Sequence, residues 1–432
     1  MRILRIALTA LIAVSVTPAL VFGQWRAPVT VSSGGTYLTA FRDVRAAVDG
    51  QGAGLVVWGT TFPESAVFAA DVRADGTVGP EARLSAPGVA ARTPRLTVAA
   101  DGRAALVWSV GPTSFSRSSG PRVLQLVTRP PGGSWSAPHT VVAHGRNVPG
   151  DLVFEPSGDL ALASTRRHQH NSHVELRHLS FDGKTRSTET VANHALAPVL
   201  AVSPTFRHAV IAYYRRPDDD IRREAWLRIG NRSWRLGRQV VGRPKVSAGR
   251  RVVVAWTSGE AFTEEDGVHV AQVARGGRPR VQRVGDAEAF ERFAVAAEGD
   301  RALVGWNATD ATGHRDALLA SADDGPFGAP VDLTAGTASA RTPAFAIGDT
   351  RAAALFIGYP TNGPSITAIN SGVLTGALSQ DGGPFAAPTV LSAEGEGLDD
   401  FGVPAIAMNA AGAAVVGYLG ANHLAVTSLP AG

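Results

Sequence analysis

One phrase recurs eight times along this chain, about once every fifty residues, and it restricts the fold more than any other feature. Its clearest copy runs from Arg95 through Leu96-Thr97-Val98, an Asp101-Gly102 turn and Ala104-Ala-Leu-Val107 to Trp108. Arg45–Trp58, Phe293–Trp306 and Ala405–Tyr418 repeat it closely. Asp151–Ser164, Val199–Tyr213, Lys245–Trp256 and Ala344–Phe356 repeat it loosely. Each copy reads as a short apolar strand, a tight turn and a second apolar strand ending near an aromatic residue. Self-similarity at this period indicates an array of identical supersecondary units, each too small to bury its own faces.

A second pair of strands lies between successive phrases. Arg122–Thr128 is followed by a Pro-Gly-Gly turn and Trp135–Val142; Ala317–Ser321 and Phe327–Thr334 repeat this, as do Val373–Ser379 and Phe385–Ser392. The unit therefore has four strands, a to d, with Gly- and Pro-containing turns. Strand b is apolar at nearly every position, as in Arg251-Val-Val-Val-Ala-Trp256, so both of its faces are covered. Four-stranded sheets stacked face to face around an axis satisfy that requirement, and no stretch carries a sustained helical period. The expected fold is all-β: a single β-propeller of eight four-stranded blades, with seven as the alternative because blades three to five are weakly written. The last phrase is followed by only one more strand, Asn422–Ser428. Its missing partner stands at the other end of the chain, where Trp25-Arg-Ala-Pro-Val-Thr-Val-Ser32 matches Phe385-Ala-Ala-Pro-Thr-Val-Leu-Ser392. The N-terminal strand is expected to complete the last blade and remove its open edge.

Residues 1–23 read as a secretion signal: Arg2 and Arg5, an apolar stretch from Ile6 to Leu20, and small residues before Gln24. Residues 24–432 form the propeller, which is expected to be secreted and monomeric, with no membrane span after cleavage. The chain has no cysteine, so its stability rests on its core, to which 44% hydrophobic residues contribute. Loss of Arg2 and Arg5 takes 41 basic residues to 39 against 37 acidic ones, leaving +2. Lys184 and Lys245 are the only lysines. That balance does not suit a nucleic-acid surface.

The repeat resembles the secreted bacterial neuraminidase-repeat and sialidase-like propellers. Two segments carry the resemblance, Ser321-Ala-Asp323-Asp-Gly325-Pro-Phe327 and Ser379-Gln-Asp381-Gly-Gly383-Pro-Phe385. Both are similar to the Asp-box of that family, shortened by one residue, and both fall in the c–d turn where the family carries it. The resemblance implies a structural role there, with Ser and Asp side chains bonding to the turn backbone. It also implies an arginine before the inner strand that grips a substrate carboxylate. Arg42, Arg92 and Arg341 stand in that place, although Asp43-Val44 replaces the family's Ile-Pro after Phe41-Arg42. The family's catalytic tyrosine, paired with a glutamate, has no evident counterpart. Tyr213 and Tyr418 fill the slot that Trp58, Trp108, Trp256 and Trp306 fill elsewhere, and read as packing residues.

The a–b turns are brief, whereas the b–c connections are long and polar: 109–121, 165–172, 215–223, 257–266, 307–315 and 358–372. Long loops on one rim of a rigid scaffold usually carry binding or catalysis, so the b–c face is the expected site. Blade three contributes Arg166, Arg167, His168 and His170, with His173 nearby; the imidazoles lack a carboxylate or cysteine to complete a metal set. Blade four contributes Arg215, Arg216, Asp218 and Arg222, read as mutual pairing, as an arginine fork for a carboxylate or phosphate, or, through Asp218–Asp220, as a calcium loop without its full motif. Glu264 belongs to an acidic rim on blade five, and Asp310 and Arg315 to blade six. No metal and no cofactor is expected. Two readings follow. The first is a non-catalytic propeller that binds a glycan, a cell-wall component or a protein on its b–c face. The second is a sialidase-like glycoside hydrolase with a divergent active site.

Overall fold

The computed structural model describes residues 24–32, 41–61, 64–111, 122–168, 171–203, 205–216, 223–259, 267–286, 293–309, 315–334, 339–359, 372–392, 398, 403–420 and 423–432. Residues 1–23, expected from sequence to be a secretion signal, lie outside them. The described residues form no helix and fall into eight four-stranded antiparallel sheets. Seven blades are consecutive in sequence, beginning at Phe41, Ala90, Arg146, Ala195, Val240, Phe293 and Ser339. The eighth combines strands a to c from the C-terminal end (Ala405–Met408, Ala414–Leu419, Leu424–Leu429) with the N-terminal strand Val29–Ser32 as its outer strand. Val29 pairs with Val426 and Thr30 with Ala425. Beyond the ladder, Arg26 N donates to Ser428 O at 2.9 Å and Thr427 Oγ1 to Arg26 O at 2.6 Å. The ring thus closes by hydrogen bonds between the chain's two ends, as the sequence match predicts.

The core is distributed between blades. Clusters of buried residues lie at each of the eight interfaces, for example Val107, Leu124, Leu152 and Leu162 between blades two and three, and Val253, Val304, Trp306 and Phe327 between blades five and six. Other clusters fill the remaining contacts around the ring. Strand b is buried throughout because it sits mid-sheet and both faces meet a neighbouring blade; Ala104–Trp108 and Val252–Trp256 are almost wholly covered. The tryptophans at its end are core residues: Trp58, Trp108 and Trp306 are 0% exposed and Trp256 1%. Close stacking favours glycine opposite them; a Cβ on Gly285 would lie 2.3 Å from Trp306 Cζ2.

Strand d is shorter than the sequence suggests in several blades. It comprises only Ala82–Arg83, Val331–Asp332 and Thr389–Val390 in blades one, six and seven. In the last two, Pro330 and Pro388 immediately precede the paired residues; proline has no N–H to give, so pairing starts after it. The a–b turns follow one chemistry. Asp49 Oδ1 accepts from the N–H groups of Gln51 and Ala53, both at 2.9 Å, Asp101 Oδ1 accepts from Arg103 N at 3.0 Å, and Gly52 and Gly102 take the required positive φ of 84° and 86°.

Candidate functional site

The inner strand of each blade has one edge turned to the axis, without a sheet partner. In six blades this strand carries a register break near its middle, between Arg42 and Arg45, Arg92 and Arg95, Pro149 and Asp151, Leu196 and Val199, Val241 and Lys245, and Arg341 and Ala344. Asp43, Thr93 and Ala197 sit in the breaks with φ of 55°, 54° and 51°, and Pro94 and Pro198 follow two of them. Such bulges blunt an exposed edge and re-aim the side chains beyond them.

One strand-a residue stands at the same level in every blade, opposite the residue before the strand-b aromatic (before Ser164 in blade three), and in the six blades with a break it is the residue that resumes pairing after it. These eight residues are Arg45, Arg95, Asp151, Val199, Lys245, Ala294, Ala344 and Ala405. All of them line one cavity of about 940 Å³ on the propeller axis. Thr165, Arg167 and Tyr214, from the ends of strand b in blades three and four, also line it, so it opens toward the b–c face. Its wall is two-sided. Blades one, two, three and five present Arg45, Arg95, Asp151 and Lys245, whereas blades six, seven and eight present alanine, flanked by Phe293, Val295, Phe345, Ile406 and Leu419. Five cations (Arg45, Arg95, Arg167, Arg243, Lys245) face two carboxylates, Asp43 and Asp151.

Hydrogen bonds hold the charged half in place. Arg95 Nε donates to Gly150 O across the blade boundary at 2.7 Å, and Nη1 to Pro94 O at 2.9 Å. Arg45 Nη1 makes the same local contact with Val44 O at 2.7 Å, and its Nη2 lies 3.7 Å from Asp43. Asp151 ties blade three to blade four: Oδ1 accepts from Leu152 N and Oδ2 from Leu200 N, both at 3.0 Å. Burial raises the Asp151 carboxyl above its ordinary value, opposed by those N–H groups, Arg95 and Arg45. Burial, then Arg45, lowers Arg95 to about 10. Burial, then repulsion by Arg45 and Arg95, lowers Lys245 to about 8, with Asp151 acting in the opposite sense. Lys245 is nevertheless an exposed side chain. The channel walls surround its ammonium, and its exposure to solvent limits the size of the effect.

The residues expected from sequence are placed unevenly. Arg166, Arg167 and His168 belong to strand b of blade three (Leu160–His168), not to a loop; strand c begins at Asn171, so the connection is far shorter than the polar run suggests. Consecutive strand residues face opposite ways, which separates the arginine pair. Arg166 lies 3.5 Å from Glu175, which is buried and also holds Arg177 at 2.6 Å and His173 at 3.3 Å, whereas Arg167 faces the cavity. Arg215 lies over the Trp226 ring, 5.9 Å from its centroid, and Arg216 is exposed. Arg315 opens strand c of blade six, its N–H donating to Ser339 Oγ at 3.2 Å. His170, Asp218, Arg222, Glu264 and Asp310 lie outside the described residues, as does the His168 side chain. No group of metal-ligating side chains occurs among the described residues.

Arg42, Arg92 and Arg341 share one register, just before the bulge, but Arg92 and Arg341 are not on the cavity wall, and the side chain of Arg42 is outside the described set. Of the cations on the wall, Arg45, Arg95 and Lys245 stand after the bulge, Arg243 within one and Arg167 on strand b. Tyr214, the tyrosine on the wall, receives Arg223 Nη1 at 3.4 Å, with the same guanidinium 4.9 Å from its ring centroid. The two Asp-box-like segments lie in the c–d turns of blades six and seven. Ser379 Oγ donates to Gly383 O at 2.6 Å, Ser321 O accepts from Gly328 N at 2.9 Å, and Asp381 takes φ 50°. Phe327 is buried, bracketed by Gln282 of blade five at its N–H and carbonyl; Phe385 packs at the blade-six and blade-seven core; Asp323 lies 3.8 Å from Arg301.

In fold, the chain is similar to an ulvan lyase. That structure, described as a polysaccharide lyase bound to -[GlcA(1-4)Rha3S]-, matches over 93% of this chain and 94% of its own at 11% identity, with a TM-score of 0.50. The β-propeller domain of the Trilobed protease from Pyrococcus furiosus matches over 82% of this chain and 100% of its own, at 8% identity and a TM-score of 0.47. Trypanosoma rangeli sialidase in complex with sialic acid matches over 70% of this chain and 57% of its own, at 12% identity and 0.42. Sialidases are thus among its structural neighbours, and at these identities the likeness is one of fold alone. No family model matches the chain, and no curated protein matches it.

Proposed function

We propose that this chain is an exported binding propeller that takes an anionic ligand, a glycan or wall polymer bearing carboxylate or sulfate groups, into the mouth of its axial channel on the b–c face. The observation that carries this reading is the asymmetry of the strand-a ring that lines the cavity, with Arg45, Arg95 and Lys245 on one side and Ala294, Ala344 and Ala405 on the other. Guanidinium and ammonium groups enclosed by protein favour an anion, since five cations face two carboxylates there. The apolar wall, with Phe293 and Phe345, suits the C–H face of a sugar ring. The neighbouring ulvan lyase, described as bound to a uronic-acid and sulfated-sugar polymer, fits the same ligand chemistry.

Binding without turnover is favoured over hydrolysis by the surroundings of Tyr214. Its hydroxyl partner among the described residues is Arg223, and a tyrosine nucleophile requires a base. The test is purified Gln24–Gly432 on an array of acidic and neutral glycans, scored both for retained protein and for sugar lost from each spot. Retention on acidic spots without loss is expected. Retention only on neutral spots contradicts the anionic site, and loss of sugar contradicts the non-catalytic reading.

A further inference from the structure

The channel wall does not end at Arg167. Arg167 pairs with Arg146 across strands b and a of blade three, and Arg146 forms a parallel bridge with Arg122 at the start of strand c of blade two. Backbone bonds fix that bridge: Arg122 N donates to Gly145 O at 2.8 Å, and Asn147, 0% exposed, donates from N at 3.3 Å and from Nδ2 at 3.0 Å to Arg122 O. Successive bridge partners project from the same face, so three arginines stand in a row, each about 5 Å from the next at the backbone. Like charges directly opposite one another on a sheet are unfavourable. Among the described residues none of the three forms an ion pair with a carboxylate; the nearby Glu175 is held by Arg166, Arg177 and His173 instead. Burial and then the charges of Arg92, Arg146 and Arg167 hold the Arg122 guanidinium below the ordinary arginine range, so these groups sense one another.

We propose that Arg122, Arg146 and Arg167 form a second anion subsite contiguous with the channel, so that the ligand is an acidic polysaccharide with negative groups on successive residues. The inference rests on the channel reading and extends it from a single anion to a polymer. Guanidinium pairs carboxylate and sulfate in bidentate fashion, and an extended sugar chain presents its charges on the same length scale as adjacent strands. A nucleic acid suits this surface less well. The row is narrow, and the chain after loss of the signal would carry 39 basic against 37 acidic residues.

The experiment is calorimetric titration of Gln24–Gly432 with galacturonate monomer, oligogalacturonate of about six residues, dextran sulfate of matched length and single-stranded oligo-dT, each at two salt concentrations. The variants are Arg122→Gln/Arg146→Gln, Lys245→Met in the channel, and a control, Arg73→Gln/Arg275→Gln, with the same charge change on exposed c–d turns of the opposite face. We expect the acidic hexamer to bind at least tenfold more tightly than the monomer. The R122Q/R146Q variant should lose about tenfold or more on the hexamer, with a weaker salt dependence, and keep wild-type affinity for the monomer. The ratio between oligogalacturonate and dextran sulfate tells carboxylate from sulfate. Equal hexamer affinity in wild type and R122Q/R146Q, or an equal loss in the control, overturns the row. If the monomer response alone then remains sensitive to Lys245→Met, the channel reading stands without it. Hexamer binding lost in R122Q/R146Q but indifferent to Lys245→Met keeps the row and removes the channel. Tighter binding of oligo-dT than of either polysaccharide overturns the polysaccharide assignment, and no binding of any polyanion overturns both. Unfolding temperatures of the variants, expected to be no lower than wild type, separate lost contacts from lost structure.

Discussion

Replacing Lys245 by methionine should make this protein more stable at neutral pH and a poorer binder. The ammonium is enclosed by the ring and faces Arg45, Arg95 and Arg243, with Asp151 the opposing charge, and its pKa is lowered from 10.5 to about 8. Taken whole, that depression corresponds to roughly 3.4 kcal/mol against the charged form. Because Lys245 is exposed to solvent, about 1–2 kcal/mol is the expected size. The pH dependence follows from proton binding. Below about 8 both folded and unfolded states hold the proton, and the full penalty is present in the wild type. Between about 8 and 10.5 the unfolded chain holds more protons, so wild-type stability rises with pH. The advantage of K245M is therefore constant below about 8 and vanishes by about 10.5. Urea unfolding of both proteins at pH 7 and pH 10 measures it, together with galacturonate affinity at pH 7, which should fall about tenfold for loss of one enclosed charge contact. A variant less stable than wild type at pH 7, or a stability gap independent of pH, would refute the reasoning.

The same protonation predicts that wild-type affinity for galacturonate declines as pH rises through about 8, whereas Lys245→Arg retains its affinity at pH 9; parallel titrations that fall together would dissociate Lys245 from binding. Arg95→Met removes the donor to Gly150 O and leaves that carbonyl without it, so stability should fall by about 1–3 kcal/mol and monomer affinity with it; unchanged urea midpoints would show that this contact between blades is dispensable. Gly285→Ala forces a Cβ into the Trp306 ring and should cost about 1–3 kcal/mol, less in a Trp306→Phe background; strictly additive losses would place the strain elsewhere. Deleting residues 24–32 exposes the edge of Leu424–Leu429, and light scattering should then detect association; a monomer of wild-type stability would mean that ring closure does not depend on this strand.

The fold was legible because its determinants are local and repeated. Strand b announces itself through runs such as Val252–Trp256, and the likeness of Trp25–Ser32 to Phe385–Ser392 reveals the shared last blade. The site was legible only in part. Seven of the eight ring positions are the first residues of repeated phrases, four of which start with Arg45, Arg95, Asp151 and Lys245; in blade six the ring residue is Ala294, one past the phrase's start at Phe293. A charge at the start of an apolar strand was the available signal. What the sequence could not reveal is which side of each bulge meets the channel, since one extra residue decides whether Arg92 or Arg95 stands on the wall. Composition also misled in blade three, where a polar run reads as loop but Arg166–His168 and Asn171–His173 pair as strand ends. Polar residues there satisfy a strand because the rim faces solvent, and pairing between partners three to seven positions apart is invisible to local pattern.

The most direct measurement is the affinity of galacturonate monomer for Gln24–Gly432 at pH 7, compared with the triple variant Arg45→Gln/Arg95→Met/Lys245→Met and confirmed as folded by its near-ultraviolet circular dichroism. The account predicts saturable one-to-one binding by the wild type and loss of at least a hundredfold in the variant, corresponding to about 2.7 kcal/mol spread over three cations. Equal affinities, or binding by neither protein to any carboxylated or sulfated sugar, would contradict an anion site in the channel.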